Sequence, residues 1–257
     1  MKSILITGAN GFIGKNLIKE FNNKYKVYCL DKNNCDLKIK KKFPTVNVVI
    51  HLAAFNSTKD FYKKPLEVIE DNLLPTLNLL NHYRKQKKKP LFIYTGTPEI
   101  TAGATDKFGY KIPTDEKVPM VIDDIQNPRW SYASSKGLGE QAIVCSGLNY
   151  IIIRPNNIYG PNQKNHFVPE FIERCKKGIV RLNGWKNTRS WLYIDDCCKA
   201  IHKLMNCKKA INQIVNVGSN DEKKVIEVAK IILKELGIKK KIIKKNAPLG
   251  SAKRRMP

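Results

Sequence analysis

Tyr132 and Lys136 stand four residues apart in a segment with helical spacing, which puts a phenol and an ammonium on one face within about one turn. A nearby cation favours phenolate, so the pair is expected to act as a base well below the ordinary phenol pKa of ~10. A second cluster, Gly8-Ala9-Asn10-Gly11-Phe12-Ile13-Gly14, follows an apolar run and opens a helical pattern. Glycines so placed permit a tight turn and a close approach of backbone to a pyrophosphate, whose charge sits at the helix N-terminus. The loop is expected to hold a dinucleotide. Asp31, 17 residues beyond Gly14, ends the next strand, where its carboxylate can accept both hydroxyls of an adenosine ribose and repel a 2′-phosphate. NAD is therefore expected over NADP, with Lys32 next door working the other way. Asp36 follows a polar turn and could reach the adenine edge or cap the chain locally.

These groups need a scaffold. Short apolar runs at 3–7, 26–30, 46–52, 91–95 and 150–154 alternate with helical patterns, the signature of βαβ units around a parallel sheet. Phe12, Ile13, Leu17 and Phe21 form one helical stripe; Leu66, Ile69, Leu73, Leu77 and Leu80 form another, interrupted by Pro75. Residues 101–128 lack periodicity and carry Pro113, Pro119, Pro128, Gly103 and Gly109, so a long irregular excursion is expected, of the kind that is usually functional or mobile. Beyond Pro155 the pattern predicts helices over 167–177 and 197–205, an extended run over 191–194 and a strand over 213–217. Val225, Val228, Ile232 and Leu236 make an amphipathic stripe stopped by Gly237. The expected fold class is α/β, a Rossmann-like doubly wound parallel sheet with a smaller C-terminal substrate-binding domain. Residues 1–157 are expected to form the NAD-binding part, with 190–217 returning to it, and 158–257 the substrate-binding part.

A chain of 257 residues with 42% hydrophobic and 27% charged residues is neither disordered nor collagen-like. No apolar run reaches the ~18–20 residues of a membrane span, so no membrane partner is expected. The N-terminus reads as a strand entering a glycine loop, so no secretory signal is expected. Seven cysteines, an odd number without CxxC, fit reduced thiols in a cytoplasmic protein, and none is assigned to a metal. Of the 47 basic residues 39 are Lys and 8 Arg, against 22 acidic, for a net charge of +25. The lysine runs 38–42, 85–89 and 239–245 have no interleaved aromatics, which reads as a solvated surface and not a specific nucleic-acid site. Such a field favours an anionic substrate.

The spacing Gly8-x-x-Gly11-x-x-Gly14 together with Tyr132-Ala133-Ser134-Ser135-Lys136 resembles the extended short-chain dehydrogenase/reductase family, in its nucleotide-sugar epimerase/dehydratase branch. Three further segments resemble it in order. His51-Leu52-Ala53-Ala54 looks like its third-strand cofactor motif, Arg154-Pro155-Asn156-Asn157-Ile158-Tyr159-Gly160-Pro161 like its post-catalytic strand, and Arg189-Ser190-Trp191-Leu192-Tyr193-Ile194-Asp195-Asp196 like its nucleotide-binding segment. The resemblance implies NAD held by the glycine loop with Asn10, Phe12 and Ile13, by Asp31 and Asp36, by Leu52, Ala53 and Ala54, and by Tyr132, Lys136 and Pro155. It also implies a nucleotide-activated sugar touching Asn157, Arg189 and Arg129, and a homodimer built on the helix of Tyr132 and its neighbour. Thr97, Tyr132 and Lys136 become the catalytic residues, joined by Glu99. Family members continue past an Arg-Arg-x-x-Asp segment, whereas this chain stops at Arg254-Arg255-Met256-Pro257, so a truncated substrate domain is expected.

The implied first step is oxidation of a sugar hydroxyl to a ketone, with Tyr132 taking the proton and the nicotinamide the hydride. An epimerase returns hydride to the opposite face and needs no further acid or base, and this outcome is expected first. A 4,6-dehydratase must also eliminate water; that branch carries Thr-Asp-Glu where this chain has Thr97-Pro98-Glu99, and Pro98 donates no proton. A uronate decarboxylase is the other alternative, since Pro128-Arg129-Trp130-Ser131-Tyr132 and Thr97-x-Glu99 match its pattern, with Arg189 assisting. A non-catalytic NAD-binding scaffold or sensor competes from a different class. His166 is expected to have a structural or substrate-contact role, and Trp185 and Trp191 to pack.

Overall fold

The first apolar run folds as β1 (Ser3–Thr7), with Ile4, Leu5 and Ile6 completely buried, as befits a strand covered on both faces. The computed structural model describes residues 1–21, 23–39, 42–248 and 251–256. Lys40 and Lys41 of the first lysine run, and Pro257, lie outside the described residues. After β1 come α1 (Phe12–Phe21), β2 (Lys26–Leu30), β3 (Val48–His51), α2 (Thr58–Lys63), α3 (Pro65–Tyr83), β4 (Leu91–Thr95), α4 (Ala102–Phe108), α5 (Ser131–Val144) and β5 (Tyr150–Pro155). The rest of the chain forms β6 (Asn157–Tyr159), α6 (Phe167–Lys176), β7 (Arg181–Asn183), β8 (Thr188–Tyr193), α7 (Ile194–Met205), β9 (Gln213–Val217), β10 (Glu222–Lys224), α8 (Val225–Glu235), β11 (Ile243–Lys245) and β12 (Arg254–Arg255).

Six strands pair in parallel in the order β2-β1-β3-β4-β5-β9. Alternate residues of each strand serve opposite faces. Ile4, Ile6, Val48 and Ile50 pack with Leu17 and Phe21 of α1 and Cys197 and Ile201 of α7; Leu5, Val49, Phe92 and Ile152 pack with Leu79 and Tyr83 of α3 and Ile143 of α5. The chain leaves β1 toward β2 and then crosses to β3 on the other side, so a crevice opens at their carboxyl ends. The glycine loop sits there.

β8 pairs antiparallel with β10 and parallel with β12 and β6, while β7 pairs with β11. Beside them Phe171 and Cys175 of α6 meet Ala229 and Leu233 of α8 in a separate apolar cluster. The expectation of an irregular stretch over 101–128 needs correcting, because α4 forms at its start. Its buried residues are Ala102, Gly103 and Ala104, too small to leave an apolar stripe. The remainder is fastened at several points. Thr114 N donates to Met256 O (3.0 Å), Asn216 Nδ2 to Thr114 O (2.8 Å) and Arg154 Nη1 to Glu116 O (3.1 Å). Among the described residues no helix is long and apolar enough to cross a membrane.

Candidate active site

The carboxyl ends of the central strands open into a cleft of about 1270 Å³, above the usual range for a single small ligand. Gly8, Gly11 and Gly14 line one end; Gly11 N donates to Gly8 O (3.0 Å), and Gly8 has φ 69°. A Cβ on Gly8 would lie 2.8 Å from Ala53 N, and one on Gly14 would collide with the Gly8 carbonyl. Only glycine lets these backbones meet, and the start of α1 is thereby exposed to the cleft with Asn10, Phe12 and Ile13 on its wall. That cradle suits a pyrophosphate. Asp31 stands beside it, its Oδ2 accepting from Asn10 N (2.9 Å) and its Oδ1 from Lys32 N (2.8 Å), with lone pairs left for ribose hydroxyls. The donor and acceptor set fits NAD.

Leu52, Ala54 and Pro155 also line the cleft. Ala53 instead backs the loop, donating its N–H to Thr7 Oγ1 (3.3 Å). Asp36 adopts the local alternative, its Oδ1 accepting from Lys38 N (2.9 Å).

Tyr132 and Lys136 reach the cleft from α5, and Thr97 from the turn after β4. The Tyr132 ring stacks on Phe61 of α2 at 4.9 Å, and its hydroxyl is hydrogen-bonded to that of Thr97. Lys136 is 2% exposed, its Nζ 4.1 Å from the centre of the Tyr94 ring. Here the sequence expectation is overturned. Burial, then the nearby Glu99 carboxylate, push the Tyr132 phenol up; Thr97, Arg255 and Arg129 pull it partly back. Burial also brings Lys136 down to about 7, with Glu140 opposing. Spacing on a helix shows which groups meet, but desolvation acts on both and weakens the cation that was to lower the phenol.

Glu99 forms the other wall. Arg129 grips it with Nη1 to Oε2 and Nη2 to Oε1, both 2.9 Å, and Arg255 Nη1 adds a bond to Oε1 at 2.7 Å. Burial alone would raise this carboxyl; Arg129 and Arg255 outweigh it and hold it well below the usual carboxylate range. Arg255 Nη2 donates to Asn157 Oδ1 (3.2 Å), and Asn157 Nδ2 to Ser190 O (2.9 Å). Arg189 donates to Thr188 O (2.7 Å) and Ala252 O (2.8 Å); burial and then Arg255 push it down to about 9, still charged at neutral pH. Two guanidinium groups thus bond one carboxylate, with the third nearby. His166 lines the same cleft at the start of α6, its backbone N–H donating to Glu170 Oε1 (3.1 Å).

Sequence reading alone does not single out Arg255 or Glu140. For Glu140 the signal exists: positions 132, 136 and 140 follow one another at a single helical turn. Arg255 reaches Glu99 across the fold, which no local spacing reports.

Residues 4–218 match the model of the NAD dependent epimerase/dehydratase family. UDP-N-acetyl-alpha-D-glucosaminuronate decarboxylase of Bacillus cytotoxicus is 32% identical over 267 residues, covering 90% of this chain and 79% of the relative. dTDP-D-glucose 4,6-dehydratase of Dictyostelium discoideum is 31% identical over 272 residues; this chain is covered to 91% and spans 62% of that relative. In fold the chain is similar to the crystal structure of UDP-glucose 4-epimerase with UDP-glucose from Thermotoga maritima, with a TM-score of 0.85, 24% identity, and coverage of 99% of this chain and 89% of the other.

Proposed function

The chain belongs to the NAD dependent epimerase/dehydratase family, and from that premise we propose that it modifies a nucleotide-activated sugar through a transient keto-sugar, as an epimerase. Bound in the glycine cleft, NAD supplies a reversible acceptor for hydride. Tyr132, which has first to lose its own proton against the burial that raises its pKa, takes the proton of one sugar hydroxyl while the carbon bearing it gives up hydride, leaving a ketone; in the return step Tyr132 gives the proton back. Thr97 holds the same hydroxyl. Asp31 selects the ribose of NAD, and Arg189 neutralises the phosphates of the sugar nucleotide.

One observation favours epimerisation over dehydration: the two positions after Thr97 offer no acid. Pro98 has no acidic side chain, and Glu99 is held ionised by Arg129 and Arg255. Elimination of water needs an acid at the leaving hydroxyl. A uronate decarboxylase is the second reading, favoured by the excess of guanidinium over carboxylate in that wall, which would suit a sugar carboxylate.

The reading extends to a cytosolic homodimer. Exposed Leu66 and Leu74 on α3 and Leu138 and Val144 on α5 support pairing there, and seven free thiols support a reducing compartment. Incubation with UDP-, GDP-, dTDP- and CDP-sugars and uronates, followed by mass spectrometry and chromatography, tests the reaction. A new isomer of unchanged mass is expected; loss of water or of carbon dioxide overturns the epimerase reading.

A further inference from the structure

Glu140 has no part in the reaction described so far, yet it lies one turn beyond Lys136 on the same helix and is only 5% exposed. Arg154 of β5, equally buried, donates from Nε to both carboxylate oxygens at 3.2 Å and from Nη2 to Oε2 at 2.7 Å. The remaining arm of Arg154 is occupied by the Glu116 carbonyl. Across from the carboxylate, β4 is followed by Gly96, where a Cβ would collide with Glu140 Oε1. The backbone thus omits a side chain at the place where the acid passes.

Along α5, Lys136 lies between this acid and Tyr132. The charged and titratable groups facing it come from four elements: Tyr132 and Glu140 of α5, Tyr94 of β4, His51 of β3 and Arg154 of β5. His51 contacts Thr7 Oγ1 (2.6 Å) and Thr76 Oγ1 (3.0 Å), and burial, then Lys136, push it down to about 3, so it is neutral. Burial likewise keeps Tyr94 a neutral phenol. Arg154 repels an ammonium. Among these groups Glu140 is the acid that favours a charged Lys136.

We infer that Glu140, clamped by Arg154 and seated against Gly96, is a positioning residue that keeps the Lys136 ammonium charged beneath Tyr132. The inference rests on the reading of Tyr132 as the base. A buried Arg–carboxylate pair is weak support for stability by itself, because both ions lose hydration. Here the pair holds a negative charge at a fixed place beside a lysine that is almost wholly buried.

The test uses the full chain as Glu140→Gln, Glu140→Asp and Arg154→Met, with kcat measured against pH on whichever sugar nucleotide the wild type converts. An opposite charge within ~4–6 Å shifts a pKa by ~1–3 units, and the Glu140 carboxylate raises that of Lys136, so the alkaline limb of kcat is expected to move down by about one unit or more in Glu140→Gln. Turnover at mildly alkaline pH then falls about tenfold, with KM nearly unchanged. Glu140→Asp should recover most of the shift, and Arg154→Met should move the limb the other way.

Denaturant unfolding of the cofactor-free chain from about pH 6 to about pH 11 reads the same lysine without turnover, since stability rises with pH once folded Lys136 has lost its proton and the unfolded lysine has not. That rise should begin at lower pH in Glu140→Gln. Should this variant fail to fold, Gly96→Ala displaces the carboxylate without removing its charge and is expected to shift both profiles in the same direction. Coincident profiles for wild type and variants, whatever their overall stability, overturn the inference. Shifted unfolding profiles in a chain that converts no sugar nucleotide uphold the Glu140–Lys136 relationship and count against the proposed function instead.

Discussion

Arg255 Nη1 lies 2.7 Å from Glu99 Oε1, although the two residues are 156 positions apart in the chain. The bond ties β12 to the turn that follows β4 and places a second guanidinium beside the one supplied by Arg129. Without Glu99, two cations would face each other in a half-closed cleft. Glu99→Gln is therefore expected to destabilise the protein by ~3–5 kcal/mol near neutral pH, measured by denaturant unfolding. The folded carboxyl is depressed, so its contribution is present above the ordinary carboxylate pKa of ~4.3 and fades as pH falls toward the depressed value. The gap between wild type and variant should narrow in acid; a constant gap would mean that packing, and not charge, accounts for it.

Tyr132→Phe keeps the ring that stacks on Phe61 and deletes only the hydroxyl bonded to Thr97. Turnover should fall by ~10²–10⁴ while NAD affinity changes little, as measured by product formation and by calorimetric titration with NAD. Retained turnover would remove Tyr132 from the chemistry.

Asp31→Asn can keep only one of the bonds from Asn10 N and Lys32 N, because it replaces one of the two acceptor oxygens by a donor. NAD should bind roughly tenfold more weakly or worse, and the preference against NADP should shrink because the charge facing a 2′-phosphate is gone. Parallel titrations with both dinucleotides check this.

Lys136→Met is expected to abolish turnover and yet to stabilise the cofactor-free protein. The lysine titrates at about 7 when folded and ~10.4 when unfolded, so between those values the unfolded chain binds the extra proton and stability rises with pH. Below that window wild type carries the full cost of a buried ammonium, and the variant should exceed it by a few kcal/mol. Equal unfolding curves at every pH would show that the ammonium is better solvated than its burial indicates.

Gly14→Ala places a methyl against the Gly8 carbonyl and Ala9, both backbone, so the loop cannot yield without opening. Loss of NAD binding with secondary structure retained by circular dichroism is the expected result.

What could be read beforehand was local. The strands at 3–7, 26–30, 91–95 and 213–217 are contiguous apolar runs, and β1, β2, β4 and β9 occupy those residues. The glycine spacing places a loop, and the spacing of Tyr132 and Lys136 places two side chains in one cleft. What escaped is set by tertiary surroundings. The rise of the Tyr132 phenol depends on Phe61, Glu99 and the closure of the cleft, which come from other elements. α4 hides because small residues bury as well as large ones but leave no periodic mark. β10 and β12 are two- or three-residue additions to β8, rich in Lys and Arg, whose pairing is visible only once β8 is in place.

β9 completes the large sheet against β5 only after the chain has made β6, α6, β7, β8 and α7, and β10 and β12 follow it. The small sheets beside the cleft are thus threaded past the large sheet in two instalments, one on each side of β9. Recombining substrate preference with a homologue would take paired crossovers flanking that strand. A hybrid with one crossover between β5 and β9 would set the edge strand of one parent against the neighbouring strand of the other, a mismatch inherited by every residue of the joint.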